Sequence, residues 1–151
     1  SGGVTTSLPA TQITFSTYSG YSATEVQSMI QEVSAKRSEK FYASDLTTAI
    51  TAGTGKVFIP IYNAGTIREV RAWLGTAQTS GNIFTVDINK NGATILSTKL
   101  TIDNGEQSST TAVTPAVLSD SAVVDGDVIS IDVDQVGDGT AKMLIIGILY
   151  Y

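Results

Sequence analysis

The feature that most constrains the fold is an alternation of apolar and polar side chains, which recurs in short runs from residue 40 onward. The run "VISIDVDQV" (Val128–Val136) places Ile129, Ile131 and Val133 on one face. The run "TIREVRAWLGT" (Thr66–Thr76) has two sets of side chains on opposite faces: Val70, Ala72 and Leu74 against Glu69, Arg71 and Trp73. Because successive side chains of a strand point to opposite faces, this pattern predicts half-buried β-strands.

Turn-forming clusters separate the runs and indicate the fold class. They are rich in Gly, Asn, Asp and Ser, and include "TAGTG", "NAG", "GTAQTSG", "NKNG", "DNGEQSS", "VDGD" and "VGDGT". Seven or eight strands at this short spacing predict an all-β domain over residues 38–151, an antiparallel β-sandwich or jelly roll. The apolar run Ala141–Tyr151 predicts a central strand, whereas Pro115 makes Thr110–Leu118 an edge or bulged strand.

The stretch "DINKNGATI" (Asp87–Ile95) fits two structures that have different consequences for function. An EF-hand calcium loop begins with the same alternation of Asp and Asn before Gly, but it needs a bidentate Glu at its twelfth position. That position holds Thr98. Asn-Gly between alternating runs is a strong hairpin signal, because both residues tolerate positive φ. The stretch therefore predicts a hairpin with Lys90, Asn91 and Gly92 at its tip.

The first 37 residues differ from the rest of the chain. Residues 1–21 lack a helical period, and their spaced apolar side chains favour an extended docking arm over a solvated tail: Val4, Leu8, Ile13, Phe15 and Tyr18. Residues 22–37 open with a capping box and predict a short amphipathic helix with one apolar stripe: Val26, Met29, Ile30 and Val33. That stripe suits packing on the helix's own domain or a helical bundle between copies. Both sets are predicted interface residues.

Composition argues against several functional classes. The chain has no histidine and no cysteine, which removes the commonest general base and the usual zinc ligands, so we expect neither an enzyme nor a bound cofactor or metal. After Leu100 eight acids stand against one base, Lys142, which argues against nucleic-acid binding. No apolar run is long enough for a membrane helix, and the start "SGGVTTSLPATQ" does not resemble a secretory signal.

The acidic stretch near the C-terminal end fits two structures. Asp132 and Asp134 share a strand face with Ser130, and Asp125 and Asp127 flank a glycine in a turn. These carboxylates indicate either a solvated face with turn aspartates or a site for a hard cation such as calcium.

Trp73 is the other candidate for ligand contact, because it lies on the polar side of its strand. It is either a partly buried packing residue or a platform for a sugar ring. In a carbohydrate-binding module, loop tips near Asn91, Asn104 and Asp138 would complete the site. A third hypothesis is a glycosidase that uses paired carboxylates. The sequence gives it little support, because the carboxylates are spaced along a strand face and no cleft for a sugar chain is recognisable.

Four motifs follow one another through residues 56–150: a "VDINKNG" hairpin, a "TIL…LTI" return strand, a "DGDVISIDVDQVG" strand and a closing apolar strand. Together they resemble a β-sandwich module that recurs in bacteriophage virion proteins. The resemblance implies a jelly-roll-like fold, commonly a homotrimer, and no catalytic residues. It implies a virion protein that binds the major capsid protein as a capsid decoration (cement) protein or head fibre. The alternatives are a tail-fibre or tail-tip component and a carbohydrate-binding host-attachment module.

Overall fold

The computed structural model describes Thr24, Glu25, Ser28 and residues 37–150. Contacts divide the chain into two units, residues 1–36 and residues 37–151. In the first unit Thr24, Glu25 and Ser28 are helical and exposed. The predicted arm 1–21, the rest of the predicted helix and all nine predicted interface residues in them lie outside the described residues. The helix prediction was wrong at its end, since Arg37 is the first residue of a strand.

The described part of the second unit contains eleven strands and one helical turn, connected by turns and loops. The strands are β1 (Arg37–Tyr42), β2 (Gly53–Pro60), β3 (Gly65–Thr76), β4 (Phe84–Lys90), β5 (Ala93–Thr94), β6 (Leu96–Thr98), β7 (Leu100–Ile102), β8 (Val117–Leu118), β9 (Ala122–Val123), β10 (Val128–Gln135) and β11 (Lys142–Tyr150). A 3-10 turn covers Ser109–Thr111. The all-β class is confirmed for these residues, although five of the strands are only two or three residues long.

Two larger sheets and one small ladder contain all these strands. The first sheet has the order β1-β11-β3-β9, and the second has the order β2-β10-β4-β5, with β7 also paired to β4. Strands β6 and β8 form the ladder. Every pairing between these strands is antiparallel. Strand β11 lies between β1 and β3, which confirms its predicted central position.

The predicted faces of β3 and β10 are confirmed on their apolar side. Val70, Ala72 and Leu74 are buried, and so are the three apolar residues of β10. One buried cluster receives Leu74 and Ile146 from the four-stranded sheet and side chains from the five-stranded sheet as well, including Phe84, Ile88 and Ile131. Burying one such side chain stabilises the fold by about 1.5–3 kcal/mol. All described members of the cluster lie in residues 41–150, so this domain has its own core.

The stretch from Asp87 to Ile95 forms the predicted hairpin. Strand β4 ends at Lys90, which pairs with Ala93 across a turn of only two residues. Asn91 has a φ of 50° and Gly92 a φ of 83°. A two-residue hairpin of type I′ needs positive φ at both central positions, which explains the Asn-Gly pair. Lys90 is the last strand residue rather than part of the tip.

Several other boundaries differ from the prediction. The cluster "TAGTG" was predicted as a turn, but Gly53 begins β2. The run Thr94–Ile102 divides into three short strands, because Leu96–Thr98 pairs with β8 whereas Leu100–Ile102 returns to β4. The run around Pro115 contributes only Val117–Leu118, consistent with the missing backbone donor of proline.

Candidate functional site

The outer surface of the four-stranded sheet carries three rows of side chains, which we call the Trp73 face. Strand register sets the rows, each with one residue from β1, one from β11 and one from β3: Tyr42, Ile145 and Trp73; Lys40, Gly147 and Arg71; Ser38, Leu149 and Glu69. Tyr42 is 66% exposed and Trp73 is 45% exposed. Trp73 therefore lies on the outer side of its strand, as the alternation predicted.

Gly147 leaves a depression in the middle of the Trp73 face. A Cβ atom at this position would have one neighbour within 4 Å, the Cβ of Arg71 at 4.0 Å. The depression has a volume of about 550 Å³ and is bordered on one side by Ser108 and Thr110. Their hydroxyl oxygens lie 2.8 Å apart. The surface thus combines an aromatic ring, a recess and hydroxyl groups.

Charge on the Trp73 face comes from one ion pair and one further cation. Arg71 Nε donates to Glu69 Oε1 at 2.6 Å, and Arg71 Nη2 donates to Glu69 Oε2 at 3.0 Å. This two-pronged bond raises the pKa of the Arg71 guanidinium. Lys40 is exposed and forms no ion pair or hydrogen bond with any other residue that the structure describes. The face therefore has an excess of positive charge in a chain whose net charge is −5.

A second candidate surface lies at one end of the domain, where the β2–β3 loop meets the β9–β10 turn; we call it the apolar end. Ile61 N donates to Asp127 O at 2.8 Å and Gly126 N donates to Ile61 O at 2.9 Å, which joins the two segments. Tyr62 is 75% exposed and Val124 is 56% exposed.

A cleft of about 310 Å³ opens at the apolar end, and most of its lining is apolar. The apolar lining includes Phe41, Ile59, Ile61, Ile67, Val123 and Ile148. At its border Tyr150 Oη donates a hydrogen bond to Glu39 Oε1 at 2.8 Å. Glu39 thus has a partner within the domain, and the cleft suits an apolar occupant.

The acidic side chains of β10 take part in bonds between strands. Asp132 Oδ1 accepts from Gly55 N at 2.6 Å, and Asp132 Oδ2 accepts from Asn89 Nδ2 at 2.9 Å. Lys99 Nζ lies 2.5 Å from Asp134 Oδ2 and 2.9 Å from Asp87 Oδ2. The bond to Asp134, followed by that to Asp87, raises the pKa of Lys99.

The predicted solvated acidic face is only partly solvated: Asp134 is exposed and Asp132 is half-buried, but their polar neighbours are covered. Ser130, Asp87 and Asn89 are all buried, so the polar face of β10 is partly covered. The alternative hypothesis for this face was a bound cation such as calcium. Instead, the ammonium group of Lys99 lies between the carboxylates of Asp87 and Asp134. Within residues 37–150 and the three described residues before them, no group of three or more acidic residues is placed to hold a metal ion.

The aspartates in turns are bonded to neighbouring segments. Asp127 accepts from Val124 N at 2.9 Å and from Asn91 Nδ2 at 2.7 Å. These two bonds, the one to Val124 first, lower the pKa of Asp127. The hairpin tip is thereby attached to the β9–β10 turn.

Asp138 connects the β10–β11 loop to the β3–β4 loop. Asp138 Oδ1 accepts from Thr140 Oγ1 at 2.5 Å, and Asp138 Oδ2 accepts from Thr79 Oγ1 at 2.8 Å and from Ser80 N at 3.0 Å. The hydroxyl of Thr140 and then that of Thr79 hold the pKa of Asp138 well below its usual range. Asp138, which was predicted to lie near a loop tip of a sugar site, is therefore a link between two loops.

Gln78 is a structural residue that the sequence patterns did not single out. It is fully buried, and its Nε2 donates to Asn82 O and to Asn104 Oδ1, both at 2.7 Å. Its Oε1 accepts from Gly137 N at 2.7 Å. No local signal distinguishes this glutamine from an exposed one, because all three partners come from loops or turns brought together by the fold.

The loop tips predicted to accompany Trp73 do not meet there. Asn104 and Asp138 lie beside the β3–β4 loop, whereas Asn91 lies beyond the opposite end of β4. None of the three borders the depression on the Trp73 face. Any ligand bound at Trp73 would therefore contact the sheet surface and the segment around Ser108 instead.

No helix among the described residues is long and apolar enough to cross a membrane. Comparison with known proteins finds no matching family model, no matching curated protein and no matching solved structure. The two surfaces and the sequence motifs therefore carry the functional conclusion.

Proposed function

We propose that the chain is a structural protein of a bacteriophage virion. In this proposal it is a homotrimer that binds the major capsid protein as a capsid decoration or cement protein, or as part of a head fibre. The four motifs in residues 56–150 support the virion context, and the apolar end supports the self-association. The proposal also treats the two sheets as a jelly-roll sandwich, supported by the single core to which both contribute.

The observation that carries the proposal is the pairing of a projecting aromatic ring with an apolar cleft at the apolar end. Exposed apolar side chains gathered beside a cleft mark interaction surfaces, whereas scattered ones do not. Tyr62 projects at this end, and the cleft beside it is bordered by the already bonded Glu39. A tyrosine that fills an apolar pocket is a common centre of a stable interface.

The same end supports a threefold arrangement of copies. Each copy offers both an exposed ring, Tyr62, which lies at the border of the cleft, and the apolar cleft itself, lined by residues such as Phe41 and Ile59. If the ring of one copy enters the cleft of the next, the contact is head-to-tail, and such contacts form a closed ring when the rotation between copies closes. A ring of three agrees with the homotrimer that the sequence resemblance implies.

The proposal assigns no catalysis to the acidic residues. A glycosidase needs two carboxyl groups free to act on either side of a glycosidic bond. Asp132 is bonded to Gly55 and Asn89, while Asp87 and Asp134 share Lys99. These contacts favour a structural role for the polar face of β10.

Light scattering on the purified full chain tests the self-association. We expect a solution mass of three 15.8 kDa chains for the wild type. Tyr62→Ser is expected to shift the equilibrium toward monomers by at least about tenfold, because it removes an interface aromatic side chain. Leu46→Ser is the matched control, since Leu46 is 65% exposed but lies on the segment between β1 and β2.

The control defines what would contradict the proposal. Leu46→Ser should keep the wild-type mass and melting temperature. Tyr62→Ser should keep the β-sheet circular dichroism spectrum but melt at a lower temperature, because it loses the stabilisation that assembly adds. A wild type that stays monomeric at high micromolar concentration contradicts the homotrimer. A Tyr62→Ser variant with unchanged mass removes the apolar end as the contact surface.

A further inference from the structure

The Trp73 face has the shape of a shallow binding platform. Neighbouring strands lie about 4.8 Å apart, and alternate residues along a strand lie about 6.8 Å apart. The aromatic row containing Trp73 and the charged row containing Arg71 are therefore about 7 Å apart, with the Gly147 recess in the charged row. A chain of a few small rings can span both rows.

The aromatic row suits a sugar ring. The faces of many sugar rings expose C–H groups that pack on an indole, and Trp73 presents almost half of its surface. Ser38, Ser108 and Thr110 border the same depression and can exchange hydrogen bonds with sugar hydroxyl groups. Flat aromatic surface and hydroxyl groups thus occur together at one site.

The charged row adds a preference for acidic ligands. A guanidinium has five N–H donors, and the hydrogen bonds of Arg71 to Glu69 use its Nε and Nη2. Donors on its other nitrogen remain for a ligand, and Lys40 on the far side of Gly147 has no described partner. A carboxylate seated over Gly147 would meet a cation from each neighbouring strand.

We propose that the Trp73 face binds an acidic glycan, with a sugar ring on Trp73 and a sugar carboxylate over Gly147 between Lys40 and Arg71. Charge complementarity favours this occupant, because the site is cationic while the chain as a whole is acidic. The proposal goes beyond the virion assignment and does not rest on it, since neither Tyr62 nor Val124 of the apolar end borders the depression on the Trp73 face.

Binding to a glycan array tests the proposal with the full chain. The array carries glycans that contain uronic or sialic acids, together with the same glycans after reduction of their carboxyl groups. We expect hits among the acidic glycans and losses of about tenfold or more in their neutral counterparts, since a charge-assisted bond is lost. Raising the salt concentration should weaken the acidic hits.

Four variants test the assigned contacts. Trp73→Ala should lower the affinity for the acidic hits by about tenfold or more, and Trp73→Phe should recover part of it. Lys40→Gln should weaken acidic glycans several-fold and leave neutral ones unchanged. Glu69→Gln should strengthen acidic binding, because it removes a negative charge and frees Arg71. A misfolded protein could not produce that gain.

The outcomes separate this inference from the virion proposal. Tyr62→Ser, the variant directed at the apolar end, should bind glycans like the wild type. Absence of acidic hits overturns the inference, and so do hits that survive Trp73→Ala or that do not depend on charge. If the chain binds other proteins but no glycan, that result also overturns the inference. None of these binding results bears on the self-association proposal, which the light-scattering mass tests separately.

Discussion

At the scale of single residues, polar side chains in the turns form bonds between segments. Asp127 joins the hairpin tip to the β9–β10 turn, and Asp138 joins two loops at the other end of β4. Both carboxyl groups have lowered pKa values because neighbouring N–H and O–H groups donate to the ionised form. The sequence shows an Asp beside a Gly in each turn, but it cannot show which distant residue donates.

Asp138→Asn tests the stabilising role of one such carboxylate. A lowered pKa in the folded state means that the carboxylate contributes stability above its unfolded pKa, and that this contribution is lost as the pH falls. We expect the variant to unfold at lower denaturant concentration than the wild type at pH 7. The difference should narrow as the pH falls below about 4. A difference that stays constant from pH 7 to pH 2 would contradict this account.

Gly55 has a backbone conformation that favours glycine, and an added Cβ atom there would have to displace the ring of Phe58. It has a φ of 62°, and a Cβ atom there would lie 2.8 Å from Cζ of Phe58. We expect Gly55→Ala to lower the free energy of unfolding by about 2 kcal/mol, measured by urea denaturation.

Gly92→Ala is the matched control for the Gly55 substitution. Its φ is 83°, and nothing lies within 4 Å of the added carbon, so it should cost only the backbone strain of about 1 kcal/mol. Combining Gly55→Ala with Phe58→Ala should recover part of the lost unfolding free energy, because the second substitution removes the ring that the added Cβ atom would contact. The loss of that ring should itself cost little, since Phe58 is 67% exposed. Equal losses in the two single variants would contradict the predicted contact with Phe58.

At the scale of elements, alternation located β3 and β10, and a continuous apolar run located β11, because both signals are local. Strand β1 was missed because "RSEKFY" is mostly polar, and its position depends on pairing with β11. The division of Thr94–Ile102 was missed because it depends on pairing with the distant strand β8. The exposure of Trp73 and its place beside Glu69 and Arg71 on β3 were predictable, but its neighbours from β1 and β11 were not. Gly147 lies beside Arg71 only through the β3–β11 register.

Substituting Gln78 tests whether its hydrogen bonds hold three loops together at one end of the domain. Gln78→Met keeps a similar shape but leaves Gly137 N–H and Asn82 C=O without this partner, which we expect to cost about 2–4 kcal/mol of unfolding free energy. Gln107→Met is the control, because Gln107 also bonds backbone carbonyls but is exposed. Chemical denaturation should show the smaller loss for Gln107→Met, and the reverse order would contradict the role of Gln78.

The substitution Lys99→Met tests whether the carboxylates on the polar face of β10 stabilise the fold rather than bind a cation. Its pKa is raised, so its contribution to stability is present below about pH 10.5 and is lost as the pH rises further. We expect Lys99→Met to cost about 1–2 kcal/mol at pH 7, because Lys99 is 43% exposed but its partner Asp87 is only 8% exposed. Millimolar calcium should leave the melting temperature of the wild type unchanged. A clear calcium-dependent rise would restore the cation-site hypothesis.

At the scale of the whole molecule, the described domain presents two different surfaces. The apolar end carries the proposed contact between copies, and the Trp73 face carries the proposed glycan site. The nine apolar residues predicted as interface residues in the first 37 residues lie outside the described part of the chain. Their role stays a prediction. The core of the domain lies within residues 41–150, so the domain can be studied without them.

The central claim is that the β domain itself carries the surface for self-association. The most direct test is the solution mass of residues 37–151 beside that of the full chain, measured by light scattering over the same concentrations. The account predicts a homotrimer in both forms, because Tyr62 and the apolar cleft belong to the β domain. A full-length trimer that becomes a monomer on truncation would contradict it and assign the threefold contact to residues 1–36.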